Sequence, residues 1–200
     1  MRLPFSLTLT LLFLVATAHA GGPPWRTGGP HGGSVSTVVM APSNHTVLYA
    51  AAPSGVFRSS DRGDSWSKIT GSLRDVRYLA VDPLNENVVY GREGIVDAWG
   101  SGTSTPLNRS ENGGQSWHRL SLPDLISPTA VAVDPRGSRV VYVSSHCRLE
   151  GDVSEAAGVY KSVDGGNSWA HILTNRTGVD PCASSMALDP ASSDDWPHKE

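Results

Sequence analysis

The chain contains the phrase Ser59-Ser60-Asp61-Arg62-Gly63-Asp64-Ser65-Trp66, and two later stretches repeat it. They are Ser110-Glu111-Asn112-Gly113-Gly114-Gln115-Ser116-Trp117 and Ser162-Val163-Asp164-Gly165-Gly166-Asn167-Ser168-Trp169. The shared pattern is S-x-[D/N]-x-G-x-S-W, here called the Ser-to-Trp motif. The copies start 51 and 52 residues apart. A fixed period of this size is the signature of a repeat architecture, so the repeat sets the expected fold.

Four short apolar segments accompany each motif, and they predict four β-strands, A to D, per repeat. Strand A ends in a proline, and strand B begins with valine and contains a tyrosine. Strand C precedes the motif, and strand D begins at its tryptophan. In the first unit these are Val38-Val39-Met40-Ala41-Pro42, Val47-Leu48-Tyr49-Ala50, Gly55-Val56-Phe57-Arg58 and Trp66-Ser67-Lys68-Ile69. A strand A also occurs at Met186-Ala187-Leu188-Asp189-Pro190. The motif would then form the turn between strands C and D, where Asn-Gly and Asp-Gly pairs tolerate positive φ angles.

The Ser-to-Trp motif resembles the Asp-box, also called the bacterial neuraminidase repeat. The resemblance covers residues from about 33 to 190, in three full units and part of a fourth. It implies an all-β fold, a β-propeller of four-stranded blades. Sialidases, xyloglucanase-type glycoside hydrolases, sortilin-like receptors and photosystem II stability factors share this box, so it does not choose among their activities.

The predicted propeller is incomplete. We place blades at about 33–71, 76–122 and 128–174, and the start of a fourth at 183–190, which gives about three and a half blades. A Gly/Pro-rich lead-in occupies 21–32 and a tail occupies 191–200. Propellers usually have four to eight blades, so we expect completion by further sequence or by self-association.

The motif residues themselves have a structural interpretation. Glycosidases use pairs of carboxylates, which makes Asp61 and Asp164 candidates. However, Asn112 occupies the same position, and an amide accepts hydrogen bonds but cannot act as a general acid or base. The predicted structural set is Ser59, Asp61, Gly63, Trp66, Ser110, Asn112, Gly114, Trp117, Ser162, Asp164, Gly166 and Trp169.

Insertions between strands B and C suggest that a ligand would bind at the face of the propeller opposite the Ser-to-Trp motifs. The distance from the strand-A proline to the motif serine is 17 residues in the first unit and 27 in the next two. The extra residues fall between strands B and C, and insertions on one face often mark a binding face. The first insertion contains Asp97 and Trp99, which could bind a sugar or could simply anchor the loop.

The second insertion contains further candidates. His146 is a weak ligand-binding candidate, and Glu150 and Asp152 are weak catalytic candidates that could equally be solvated surface residues. Cys147 and Cys182 are the only two cysteines, and in an oxidising compartment they could form one disulfide. Neither lies in a C-x-x-C or His-rich setting, so no metal site or cofactor is predicted.

The N-terminus has the layout of a secretory signal peptide over residues 1–20. Arg2 supplies a positive start, an apolar run extends from Leu7 to Ala18, and Ala18-His19-Ala20 offers a cleavage site. We therefore expect a secreted or periplasmic protein with no membrane span after removal of the signal. In a eukaryotic secreted protein the sequons at Asn44, Asn108 and Asn175 would be glycan acceptors.

Composition narrows the function classes. Hydrophobic content of 38%, charged content of 18% and a net charge of -3 are ordinary for a globular protein and argue against nucleic-acid binding. Sialidases carry a Phe/Tyr-Arg-Ile-Pro motif, but here Phe57-Arg58 is followed by Ser59, and no arginine triad can be assigned. The sequence favours a non-catalytic propeller module, or a fragment of one, that binds a glycan or protein ligand. The alternative is a sialidase-like or xyloglucanase-like glycoside hydrolase, or an N-terminal fragment of one.

Overall fold

A computed structural model describes residues 34–71, 73–94, 106–123, 128–145, 158–173 and 186–189. The described residues contain twelve β-strands and no helix. They form three four-stranded antiparallel sheets, each made of consecutive strands in chain order. The strands are β1 (Thr37–Ala41), β2 (Asn44–Ala52), β3 (Gly55–Ser59), β4 (Ser67–Lys68), β5 (Val76–Val81), β6 (Val89–Glu93), β7 (Leu107–Ser110), β8 (His118–Arg119), β9 (Pro128–Val133), β10 (Val141–Ser145), β11 (Gly158–Ser162) and β12 (Ala170–Leu173).

The three sheets are blades of an incomplete propeller, as predicted from the sequence. Each strand pairs only with its neighbours in sequence, which is the meander of a propeller blade. The first strands of adjacent sheets, β1, β5 and β9, contact one another. They therefore lie on the inside, and the short fourth strands lie on the outside.

Two hydrophobic cores fill the spaces between the blades. Successive residues of a strand point to opposite faces of the sheet, so Val89 enters the first core and Tyr90 the second. The second blade is therefore buried on both faces. The first core contains Ala41, Val47, Tyr49, Ala51, Val56, Ile69, Val76, Leu79, Val81 and Val89. The second contains Val88, Tyr90, Leu107, Leu120, Val141 and Val143.

The A–B and C–D turns of each blade lie at the same end of the sheet and are joined by a backbone hydrogen bond. The fourth motif residue donates its N–H to the A–B turn: Arg62 to the Thr46 carbonyl, Gly113 to Asn87 and Gly165 to Arg139, at 2.8–2.9 Å. The described strand ends at 94, 106, 145 and 158, which border the insertions, therefore lie at the other end of their sheets, away from the motifs.

The predicted start of a fourth blade, at 183–190, remains a prediction, since only part of it is described. Residues 186–189 are described but lie outside any strand. In the three blades strand A pairs with strand B of the same sheet.

Candidate functional site

The first Ser-to-Trp motif is a closed set of hydrogen bonds. The Ser59 hydroxyl accepts from the backbone N–H of Gly63 at 2.8 Å and of Asp61 at 3.3 Å, and it donates to Asp61 Oδ1 at 2.7 Å. Asp61 Oδ1 also accepts the Ser65 N–H at 2.9 Å, and Asp61 Oδ2 accepts the Ser65 hydroxyl. Trp66 Nε1 donates to the Gly63 carbonyl at 3.1 Å. Both carboxylate oxygens are therefore occupied within the turn.

The other two motifs repeat this geometry. Ser110 and Ser162 accept from the second glycine of their motifs at 2.8 Å and donate to the Asn112 and Asp164 side chains. Asn112 Oδ1 accepts the Ser116 N–H at 2.9 Å, while its Nδ2 donates to the Ser116 hydroxyl at 2.8 Å. The amide thus takes the place of the carboxylate, and only the direction of one hydrogen bond, the one to the serine hydroxyl, is reversed.

These bonds favour the ionised form of both motif aspartates. The Ser65 hydroxyl, together with the Ser59 hydroxyl and the Ser65 N–H, lowers the pKa of Asp61 to about 2. The Ser168 hydroxyl and N–H hold the pKa of Asp164 well below its usual range. A carboxylate that stays ionised at neutral pH cannot protonate a leaving group as a general acid.

The loop-bearing end is only partly described. In the first blade β2 and β3 are joined by Pro53 and Ser54, a turn without an acid. The candidates Asp97, Trp99, His146, Glu150 and Asp152 lie outside the described residues. The predicted disulfide partners Cys147 and Cys182 and the sequon at Asn175 also lie outside them.

The other two sequons can be placed. Asn44 is half-buried, and its Oδ1 accepts from the Thr46 N–H at 3.2 Å and from the Thr46 hydroxyl at 2.7 Å. Asn108 is 5% exposed, and its side-chain amide donates to the Pro106 carbonyl at 3.4 Å. A glycan on Asn108 has no room in the folded chain.

A charged and aromatic cluster flanks the start of the first insertion. Gly94 donates its N–H to the Asp75 carbonyl at 2.7 Å, and Asp75 pairs with Arg77 at 3.4 Å. The Arg92 guanidinium lies 5.5 Å from the centre of the Tyr78 ring, and burial lowers its pKa. Tyr78 is 36% exposed, so this end presents an aromatic face with both charge signs beside it.

A repeated tyrosine–cation pair was missed by the sequence analysis. Strand B of each blade carries a tyrosine, and the residue before each motif serine is a cation. Its charged group lies over that ring: Arg58 over Tyr49 at 5.9 Å, Arg109 over Tyr90 at 5.9 Å and Lys161 over Tyr142 at 5.5 Å. The recurrence of Arg58-Ser59, Arg109-Ser110 and Lys161-Ser162 is a sequence signal that could have revealed it.

A cleft of about 510 Å³ lies at the outer rim between the first and second blades. It is lined by Arg58, Ser60, Ser67, Lys68, Ile69, Thr70, Gly113 and Gln115. Over the described ranges, no group of three or more His, Cys, Asp or Glu side chains could hold a metal ion. The same ranges contain no helix long and apolar enough to cross a membrane.

Comparison with known proteins relates the chain to xyloglucanases. It is 24% identical over 160 residues to a xyloglucanase of Hypocrea jecorina, covering 72% of this chain and 18% of that protein. It is 27% identical over 162 residues to a xyloglucanase of Paenibacillus sp., covering 79% of this chain and 12% of that protein. The chain therefore spans less than a fifth of the length of these relatives. No family model matches it.

Solved structures show the same fold. An ancestral GH74 enzyme matches with a TM-score of 0.58 at 22% identity, over 82% of this chain and 21% of that chain. The GH74 xyloglucanase from Xanthomonas campestris matches with a TM-score of 0.51 at 25% identity, over 70% of this chain and 20% of that chain. The three described blades thus resemble part of larger propellers.

Proposed function

We propose that this chain is an exported Asp-box propeller module, or part of one, that binds a polysaccharide through its loop-bearing end without cleaving it. The observation that carries the ligand class is the similarity to proteins named xyloglucanases over 72–79% of the chain. That similarity favours a glycan over a protein ligand. The signal-like layout of residues 1–20 supports export to the secreted or periplasmic space.

The described residues support binding rather than cleavage. Asp61 and Asp164 are held ionised by their own turns, at the end opposite the insertions. The turn from β2 to β3 at the loop-bearing end offers Pro53 and Ser54 and no carboxyl group. Tyr78 and Arg92 beside the first insertion could contribute an aromatic face and hydrogen-bond donors for sugar hydroxyls.

Glycoside hydrolysis is the second candidate function, favoured by the relatives' own name. The two carboxyl groups that this reaction needs would be two of the three acids in the insertions, Asp97, Glu150 and Asp152. Both the retaining and the inverting mechanism of glycoside hydrolysis use a pair of carboxyl groups.

The test is to measure binding and turnover with the full chain. Affinity electrophoresis in gels containing xyloglucan or other β-glucans reports binding, and release of reducing sugar reports cleavage, with fluorogenic glycosides, including sialosides, as further substrates. We expect retarded migration in a β-glucan gel without sugar release. Trp99→Ala should weaken binding about fivefold, since an aromatic contact contributes about 1 kcal/mol.

Asp64→Asn is the matched control, because Asp64 is exposed in the motif turn at the other end. It should bind like the unaltered chain. Turnover that is lost in Asp97→Asn, Glu150→Gln or Asp152→Asn, but kept in Asp64→Asn, would establish the hydrolase instead. No retardation in any glycan gel, with no turnover, would contradict both.

A further inference from the structure

The second Ser-to-Trp motif contains the only Asn-Gly pair in the chain, Asn112-Gly113. An asparagine that precedes glycine loses its side-chain amide more readily than other asparagines, because glycine has no Cβ to hinder its own backbone nitrogen. The other two motifs have Asp61 and Asp164 at this position. Of the three residues at this position, only Asn112 therefore carries an amide that can be lost.

The reaction needs no partner other than water. The Gly113 nitrogen attacks Cγ of Asn112, the new bond closes a succinimide ring, and Nδ2 leaves as ammonia together with the proton of the Gly113 N–H. Water then adds across one of the two imide C–N bonds. Opening at Cγ gives an aspartate at position 112. Opening at the backbone carbonyl carbon gives an isoaspartate, in which the main chain runs through Cβ and Cγ and is longer by one atom.

The attacking nitrogen is already engaged in the folded chain. Gly113 is buried, and its N–H donates to the Asn87 carbonyl in the A–B turn of the same blade at 2.8 Å. Cyclisation removes this proton, so the hydrogen bond to Asn87 has to break first. Since a buried backbone N–H gives up its partner only when the local structure opens, the folded turn opposes the attack.

The amide group under attack is also held in place. The Asn112 side chain is exposed, yet three hydrogen bonds fix its amide group. Oδ1 accepts the Ser110 hydroxyl and the Ser116 N–H, both at 2.9 Å, and Nδ2, the leaving group, donates to the Ser116 hydroxyl at 2.8 Å. Turning Cγ onto the Gly113 nitrogen breaks these bonds. Hydrogen bonding, rather than burial of the side chain, thus protects the amide.

The two products differ in their fit to the motif. An aspartate fits, because Asp61 makes the corresponding bonds in the first motif. An isoaspartate adds a main-chain atom between position 112 and Gly113. That point lies within the turn that the Ser110 hydroxyl closes by accepting the Gly114 N–H at 2.8 Å. The lengthened turn should therefore not re-form the motif.

We propose that Asn112 is a deamidation site that the second motif keeps closed. The amide is lost when the motif opens, and the isoaspartate product then prevents the motif from closing again. The modification therefore marks, permanently, the chains in which the second blade has opened.

The first test compares the folded and unfolded chain. The full chain is incubated at mildly alkaline pH in buffer and in denaturing urea, and peptide mass spectrometry measures the conversion of Asn112 over time. We expect the reaction to be at least about tenfold slower in buffer, because the closed motif withholds the reactive conformation from most molecules.

The second test removes one of the protecting bonds. Ser116→Ala deletes the hydroxyl that holds Nδ2 and should speed the reaction in buffer about fivefold, the effect of losing one hydrogen bond of about 1 kcal/mol, with no change in urea. Ser168→Ala is the matched control, because it makes the same change in the third motif, where the hydroxyl contacts Asp164. It should leave the rate at Asn112 unchanged. Near-UV circular dichroism checks that both variants keep their packing.

The third test follows the products after dilution from urea. Size-exclusion chromatography separates refolded chains from the rest, and enzymatic methylation of isoaspartyl groups detects the lengthened product. Isoaspartate should be depleted in the refolded fraction, whereas aspartate at position 112 should be retained there. The proposal is overturned if Asn112 reacts as fast in buffer as in urea, if Ser116→Ala speeds the reaction no more than Ser168→Ala, or if isoaspartate chains refold like the others.

Discussion

At the scale of single residues, the Ser-to-Trp motif shows why aspartate and asparagine can exchange. The position needs one oxygen that accepts from the serine hydroxyl and from a backbone N–H, and Asp61 Oδ1 and Asn112 Oδ1 both provide it. The second side-chain atom faces a hydroxyl, which can donate or accept. Ser65 therefore donates to Asp61, whereas Ser116 accepts from Asn112.

The two aspartate motifs should make the fold sensitive to acid. The folded-state pKa of Asp61, about 2, lies below the ordinary 3.8, so its carboxylate stabilises the fold above about pH 4. That contribution is lost as the pH falls through about 2, and Asp164, whose pKa is also lowered, adds to the same loss. Denaturant unfolding midpoints measured from pH 5 down to pH 2 should fall accordingly.

Asp61→Asn combined with Asp164→Asn is the control for this pH dependence. Asn112 already shows that an amide maintains the turn, so the double variant should remain folded at neutral pH. Its unfolding midpoint should decline less between pH 5 and pH 2 than that of the unaltered chain. An equally steep decline would place the acid sensitivity in other carboxyl groups.

At the scale of elements, the tryptophan that ends the motif packs against an inter-blade core in the second and third blades but not in the first. Trp117 packs against the core between the first and second blades, and its Nε1 donates to the Gly114 carbonyl at 2.8 Å. Trp66 packs on Ala50, Ala52 and Phe57, all from its own sheet. The same residue in the same turn therefore seals a junction in one blade and caps a single sheet in the other.

Replacing these two tryptophans with alanine should lower the free energy of unfolding by unequal amounts. We expect Trp117→Ala to lower the free energy of unfolding by about 3 kcal/mol, since it leaves a cavity between two sheets. Trp66→Ala should cost about half as much, because only one sheet lines its site. Urea unfolding of both variants measures the difference, and equal losses would show that the junction gives Trp117 no added role.

The strands and turns were predictable because their signals are local. The recurrence of a proline-ended strand A and a Ser-to-Trp motif fixes strand order without any long-range contact, and the sequence predicted all three blades. The tyrosine–cation pair was missed because its members lie on different strands, and only the register of β2 with β3 brings Arg58 opposite Tyr49. The candidate acids in the insertions remain predictions, because nothing periodic specifies how such loops lie.

At the scale of the whole molecule, stability should be distributed unevenly among the blades. In repeat proteins each unit depends on the interfaces with its neighbours. The second blade has a core on each face, with Val89 in one and Tyr90 in the other, and both residues are 0% exposed. The first blade shares only one of these cores, and its outward face exposes 53% of Val38 and 50% of Met40.

Amide hydrogen exchange should therefore be slowest in the second blade. We expect the paired amides of β6 and β7 to exchange at least about tenfold more slowly than those of β2 and β3, because opening the second blade breaks two junctions and opening the first breaks one. Mass spectrometry of peptides spanning 88–93 and 107–110 in the second blade and 47–59 in the first compares the two blades directly. Equal protection would mean that the three blades open as one cooperative unit, and faster exchange in the second blade would contradict the assignment of a core to each of its faces.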